Sequence, residues 1–275
     1  MRSRLFPITD DHIHFDPVNG RGVEAAKDFL HAGGTHLFLV SKPSWSLGVT
    51  PSSGPDYAPV FEETLRIADL IRETGLVVFP VLGIHPAEIT RLAERMTLGD
   101  AVRVMKEGLD SAAGYVRDGR AVALKSGRPH YEVSGEIMAG SNEVLAHALS
   151  LAAGCRCALQ VHAESGPCAD IVGMAEVAGI PVDRVVKHYG SPETPLHPSL
   201  VARHEAVPDL ARQRRPFTME SDFMDENTRP GAVTGPKSVA RITKKLVESG
   251  VITDEDCWRI HSETVEKVYG VRVSL

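Results

Sequence analysis

Apolar residues fall in short, nearly continuous runs separated by longer amphipathic stretches. The runs cover residues 8–14, 35–41, 76–82, 121–125, 157–162, 184–188 and 217–222, with a weaker one at 200–203. Continuous apolar runs of this length fit strands covered on both faces, which is the environment of a parallel sheet. Between them lie helical patterns such as residues 60–74 and 143–153, followed by Gly75 and Gly154 as expected C-terminal caps. Strand alternating with helix predicts βα units. About eight strands in 275 residues fit one (β/α)8 TIM barrel over residues 1–275. An open doubly wound sheet uses the same alternation. Its Gly-rich phosphate turn after the first strand is missing, however, and that strand ends in His-x-His.

Residues 43–59, rich in Ser, Gly and Pro, read as a long loop on the catalytic face of the barrel, a lid or a substrate wall. Helical patterns over residues 237–249 and 254–269 read as closing helices.

Polar residues cluster where strands end. The endings are Asp11-His12-Ile13-His14, Leu124-Lys125, Val161-His162, Lys187-His188 and Glu220-Ser221-Asp222. Residues i and i+2 of a strand share a face, so His12 and His14 are expected to enter the lumen together. One histidine at a strand end is usually a hydrogen-bonded structural residue; five strands ending this way point to a metal site. Imidazoles and carboxylates suit zinc and related divalent ions, and two such ions can clamp a bridging hydroxide as nucleophile. Asp222 is the expected catalytic residue, binding one ion and orienting or deprotonating the water.

The ordered set of motifs resembles the TatD-like metal-dependent hydrolases of the amidohydrolase superfamily, with the nearest likeness to an archaeal-type branch. The residues that carry it are Asp11-His12-Ile13-His14, Gly83-Ile84-His85-Pro86, Gly127-Arg128-Pro129-His130-Tyr131, Gln160-Val161-His162-Ala163-Glu164-Ser165 and Val186-Lys187-His188-Tyr189. Met219-Glu220-Ser221-Asp222, Arg229-Pro230-Gly231-Ala232-Val233 and Lys267-Val268-Tyr269-Gly270 complete it. The resemblance implies a metal-ligand set of His12, His14, position 125, His162, His188 and Asp222. At position 125 the family usually has glutamate, within Gly-Glu-Ile-Gly, whereas this chain reads Leu124-Lys125-Ser126-Gly127.

Three readings of Lys125 stand. A carbon dioxide-derived carbamate on its amine would bridge two cations, as in phosphotriesterase-like and dihydroorotase-like members of the superfamily. A free lysine would serve a one-metal site and steer an anionic substrate. A cationic lysine could also mark a degenerate site. The carbamate is the expectation, with two divalent ions. Zinc is the expected metal; manganese, magnesium, cobalt and iron are alternatives. His85, Arg128, His130 and Arg229 are expected to bind substrate, Arg229 as a bidentate clamp for phosphate or carboxylate.

Composition narrows the partners. A net charge of −6 and 5% aromatic residues give little support for a long polyanion or a base-stacking platform. A small anionic or ester substrate is therefore favoured over nucleic-acid ends, which remain the alternative, as does a non-catalytic metal- or ligand-binding barrel. No apolar run approaches the roughly 20 residues of a membrane span, and the N-terminus lacks signal-peptide character, so a cytoplasmic enzyme is expected. Cys155, Cys157, Cys168 and Cys257 form no zinc-knuckle spacing and are expected as reduced, partly buried thiols.

Overall fold

The computed structural model of the chain describes residues 6–227 and 234–275. Arg229 lies outside the described residues, as does the rest of its motif.

Among the described residues nine strands run parallel: β1 (Thr9–His14), β2 (His36–Val40), β3 (Val77–Gly83), β4 (Ala123–Gly127), β5 (Ala158–His162), β6 (Val185–Lys187), β7 (His197–Val201), β8 (Thr218–Glu220) and β9 (Phe223–Met224). Their hydrogen-bonded order is β8-β7-β6-β5-β4-β3-β2-β1-β9. β8 pairs with β7, and β9 pairs with β1 through Ile13–Phe223 and His14–Met224. β8 and β9 are thus two parts of one strand that closes the barrel, interrupted at Ser221-Asp222. The break is still bonded to β1: Ser221 N–H donates to Asp10 Oδ1 at 3.0 Å, and Asp222 N–H to the His12 carbonyl at 3.0 Å. This is the expected TIM-barrel class, with the eighth strand split in two. The seventh strand lies earlier than expected, at His197–Val201.

Ten α-helices line the outside or end of the sheet among the described residues: α1 (Val23–Ala32), α2 (Ala58–Arg72), α3 (Glu88–Ala93), α4 (Leu98–Arg117), α5 (Gly135–Cys155), α6 (Asp170–Ala178), α7 (Val207–Arg212), α8 (Ser238–Glu248), α9 (Asp254–Trp258) and α10 (Thr264–Tyr269). Gly75 turns the chain into β3 with φ 96°, as a left-handed turn residue should. Gly154, expected as a cap, instead lies inside α5; the helix runs on to Cys155 and ends on Arg156 with φ 55°. No helix is long and apolar enough to cross a membrane among the described residues. None of the four cysteines is in a disulfide, and three of them are buried.

Burial has an outer and an inner part. Outside the sheet, residues such as Phe61, Leu109 and Val144 pack helices onto strands. Inside it, Phe38, Val81, Ala123, Ala158 and Val186 pack against Val265, Val268 and Tyr269 of α10. The C-terminal helix therefore plugs the lumen beneath the polar strand ends. A π-helical turn, Arg259–Glu263, joins α9 to α10 and sets His261 against Thr9.

Two glycines permit the close approach of neighbouring strand ends. Gly83 pairs with Lys125, and Gly127 pairs with His162. A Cβ on Gly83 would run into the Lys125 carbonyl, and one on Gly127 into the His162 carbonyl. Backbone cannot yield there as a flexible side chain would. Gly127→Ala is therefore expected to lower stability by about 1–3 kcal/mol, the usual cost of overpacking. Gly173→Ala, on the exposed face of α6 with open space around it, should raise stability by about 0.5–1 kcal/mol. Thermal unfolding of both variants checks the pair; a neutral Gly127→Ala would contradict the strand-end packing.

Candidate metal centre

β1 carries a register shift between Asp10 and Ile13, so one extra residue bulges against β2. The bulge lets Asp10, Asp11, His12 and His14 all be buried at one end of one strand. His12 Nε2 lies 3.2 Å from His14 Nε2, 3.1 Å from Lys125 Nζ and 4.0 Å from Asp222 Oδ1. The His12 ring stacks on His188 at 3.8 Å between centroids, and His188 stacks on His162 at 5.3 Å. One ligand atom each from His12, His188 and Asp222 lies within 4.8 Å of the other two. The residues expected at the strand ends thus converge.

Hydrogen bonds fix which nitrogens are available. His14 donates Nδ1–H to the Val40 carbonyl at 2.8 Å, which leaves the lone pair of Nε2 in the lumen. His188 donates Nδ1–H to Glu220 at 3.1 Å, which does the same for its Nε2. Such outer partners orient metal-binding imidazoles. Burial, reinforced by neighbouring positive charge and other imidazoles, holds His12, His14 and His162 well below the usual histidine range, so they are neutral. His12 Nδ1 has no partner among the described residues. Two imidazoles on one tetrahedral zinc, at about 2.0–2.1 Å each, would place their nitrogens about 3.3 Å apart. The 3.2 Å separation of the His12 and His14 nitrogens matches that value. The donor set therefore fits a divalent cation.

Lys125 is 2% exposed, and burial lowers its amine to about 8. Asp222 sits in the strand break with φ 47°, a left-handed backbone that aspartate tolerates better than most residues. Burial raises its carboxyl, opposed by His188.

A second polar layer lies below. Glu220 accepts from His188, from Tyr189 N–H at 2.9 Å and from the Ser199 hydroxyl at 2.5 Å. The same hydroxyl lies 2.6 Å from Asp11 Oδ1, and Tyr269 donates to Asp11 Oδ2 at 3.0 Å. A serine has one proton and cannot donate to both carboxylates. One of the two acids must therefore be protonated, in keeping with burial raising both. Gln160 completes the layer, donating to Tyr269 and to the Asp11 carbonyl. Sequence reasoning assigned Asp11, Gln160, Ser199, Glu220 and Tyr269 no role. A signal existed for two of them: Gln160 and Glu220 stand two residues before a ligand candidate, on the same face, in strands that should be apolar.

The expected substrate-binding residues separate. His85 lines a cavity of roughly 310 Å³ over the centre, together with Trp45, Lys125, His130 and His162. Its Nδ1 accepts Ala87 N–H at 3.2 Å, and burial keeps the ring neutral, so its one proton sits on Nε2. His130 Nδ1 is 2.7 Å from His162 Nε2. Arg128 does not line the pocket mouth. Its guanidinium is 6% exposed and is committed to Glu164, to Asp170 at 2.6 Å and to Asn142 at 3.2 Å, which locks the loop after β4. The loop after β2 folds into two 3₁₀ turns, Ser44–Leu47 and Gly54–Tyr57, and supplies Pro43, Trp45 and Ser46 to the cavity wall.

The chain matches the model of the TatD related DNase family over residues 9–270. It is 33% identical over 285 residues to an uncharacterized protein of Methanocaldococcus jannaschii, covering 99% of each chain. Two solved structures share the fold. A TatD homologue from Escherichia coli superposes with a TM-score of 0.67 at 18% identity, covering 98% of this chain and 100% of that one. A mutant PTE-like lactonase from Deinococcus radiodurans gives 0.60 at 13%, covering 96% and 95%. With its converging imidazoles and aspartate, the chain belongs to the TatD-related DNase family and is a metal-dependent hydrolase.

Proposed function

We propose that residues 1–275 act as one barrel hydrolase for small anionic or ester-type substrates, phosphoester or lactone-like. Its metal ligands would be His12, His14, Lys125 as a carbamate, His162, His188 and Asp222. The observation that carries this reading is the buried Lys125 amine, 3.1 Å from His12 Nε2 at the convergence of the imidazoles. A free ammonium there would repel the cations the imidazoles are arranged to hold. With its amine lowered to about 8 by burial, roughly a tenth is unprotonated at pH 7, against fewer than about one in a thousand for an ordinary lysine. That amine adds carbon dioxide, forming an N–C bond and releasing one proton, and the product is a carboxylate at the position where the family resemblance implies glutamate. Four neutral imidazoles and Asp222 supply a single negative charge; the carbamate supplies a second.

Divalent cations at this centre would polarise water and the scissile oxygen. The remaining work falls to side chains. Asp222 orients the attacking water and accepts its proton, nearby cations keeping the carboxylate ionised. His85 offers Nε2–H to an anionic substrate oxygen. The Glu220–His188 bond holds that imidazole's orientation, and Ser199 in turn holds Glu220. Arg229 is proposed as an anion clamp.

The cavity of roughly 310 Å³ and an adjoining one of roughly 290 Å³ suit a small molecule. Nucleic-acid ends, suggested by the family's DNase name, are the second reading. A panel of chromogenic phosphodiesters, lactones and single-stranded oligonucleotides separates the two, and turnover of oligonucleotides alone would overturn the small-substrate reading.

Asp222→Asn keeps shape and tolerates the same left-handed backbone, so the variant should fold and lose about 10²–10⁴ in kcat. Wild-type rates in the metal-loaded variant would remove Asp222 from catalysis. Carbon-13 bicarbonate should label Lys125 in the wild-type protein, and loading should rise as pH increases through about 8, because the amine is the reacting form. Lys125→Glu should bind metal without bicarbonate, and Lys125→Ala should lose at least one ion. A metal-loaded, active wild type with a plain amine would refute the carbamate. Arg229→Ala should raise KM for an anionic substrate more than it lowers kcat.

A further inference from the structure

His130 occupies an unusual place for a residue at a pocket mouth. Its Nδ1 points at His162 Nε2 from 2.7 Å, and its ring borders both cavities over the centre. Contacts elsewhere on the loop hold it there. Arg128 N–H donates to the His162 carbonyl at 2.8 Å, and the Arg128 guanidinium is fixed by Glu164 and Asp170. On the other side, the Tyr131 hydroxyl bonds Thr90 Oγ1 at 2.9 Å. The loop therefore presents His130 to His162 from anchors on both flanks.

We infer that His130 is a metal ligand, sharing with His162 the cation on the β4–β5 side of the centre. This inference rests on the metal-hydrolase reading above. It gives His130 a role that strand-end reasoning could not assign, because the residue lies on a loop three positions past β4. Two imidazoles on one tetrahedral zinc have nitrogens about 3.3 Å apart. The observed pair need open only by roughly half an ångström to admit an ion, and His130 is exposed enough to turn. The consequence is chemical. With His12, His14, His162 and His188, it makes five imidazoles around the centre against two anionic oxygen groups, the Asp222 carboxylate and the Lys125 carbamate proposed above. Nitrogen-rich sites favour zinc or cobalt over magnesium, calcium or manganese, which prefer oxygen. His130 would also supply a donor on the side where an unmodified Lys125 offers none.

The competing role for His130 is an outer hydrogen-bonding partner that orients His162 without touching metal. Long-range proton–nitrogen spectra of protein labelled with nitrogen-15 histidine, titrated with zinc sulfate, distinguish the two. The His130 signals are assigned by their loss in His130→Gln. Zinc should move His130 Nδ1 to the position of a metal-bound imidazole nitrogen together with a His162 nitrogen, and excess magnesium chloride should leave it there. His130→Gln should weaken one zinc by at least about tenfold, and His130→Asp should recover part of that loss. Because the spectra are read on the wild type, a variant that fails to fold does not remove the test. If His12 and His14 shift with zinc while His130 keeps a free-imidazole signal, His130 is not a ligand and the inference is overturned. If the wild-type protein takes up no zinc and no histidine shifts, the metal-hydrolase reading falls with it.

Discussion

The open end of this barrel is organised by the need to keep the lone pairs of buried imidazoles turned toward one another. Neutral nitrogens 3.2 Å apart, as in His12 and His14, gain little from each other unless a proton or a cation lies between them. The protein commits the outward nitrogens to strong partners, the Val40 carbonyl for His14 and the Glu220 carboxylate for His188. Each such bond removes one tautomer and leaves the inner nitrogen as an acceptor. Burial then removes the remaining escape, protonation, by lowering the basicity of His12, His14, His162 and His188. A cation is the one ligand that satisfies all of these nitrogens together.

The layer beneath explains why this arrangement holds. Asp11 and Glu220 would repel each other if both were ionised, and the single Ser199 proton between them requires one to stay protonated. The pair behaves as one negative charge, spent on the imidazole of His188. Tyr269 and Gln160 tie that pair to α10, the helix that fills the lumen from below. The C-terminal helix is in this way part of the support for the metal centre, although it contributes no candidate ligand.

Lys125 is where this chain departs most from the resemblance that its other motifs carry. A glutamate would bring a fixed negative charge; a lysine brings a charge that depends on carbon dioxide and pH. Its partners are consistent with that conditional role. It has a lone pair to approach in His12, and carboxylates at Asp222 and Glu220 that raise its amine against the stronger effect of burial. The Arg128 loop, once freed of a substrate role by its ion pairs to Glu164 and Asp170, becomes the rigid mount that carries His130 to the site.

Periodicity was enough for a parallel sheet, because continuous apolar runs such as those of β2, β3 and β5 have no stable home except a sheet covered on both faces, and the count of about eight strands with no Gly-rich turn after the first pointed to a barrel. The polar residues at the ends of those runs brought His12, His14, Lys125, His162, His188 and Asp222 to one end, since each lies within two residues of a strand's C-terminal end and parallel strands end together. Several features were not legible. The β1 bulge depends on register against β2 and leaves no mark in a pattern of alternation. The break at Ser221-Asp222 depends on its backbone N–H groups bonding the Asp10 carboxylate and the His12 carbonyl, more than two hundred residues away. Arg128 looked like a pocket residue because its carboxylate partners lie 36 and 42 positions further along the chain. Local propensity and strand period act over a few residues, so the sequence by itself determined the elements and their polar ends. Hydrogen bonds and charges are satisfied between elements, so only the tertiary structure decided which of those polar groups face the centre and which hold it in place.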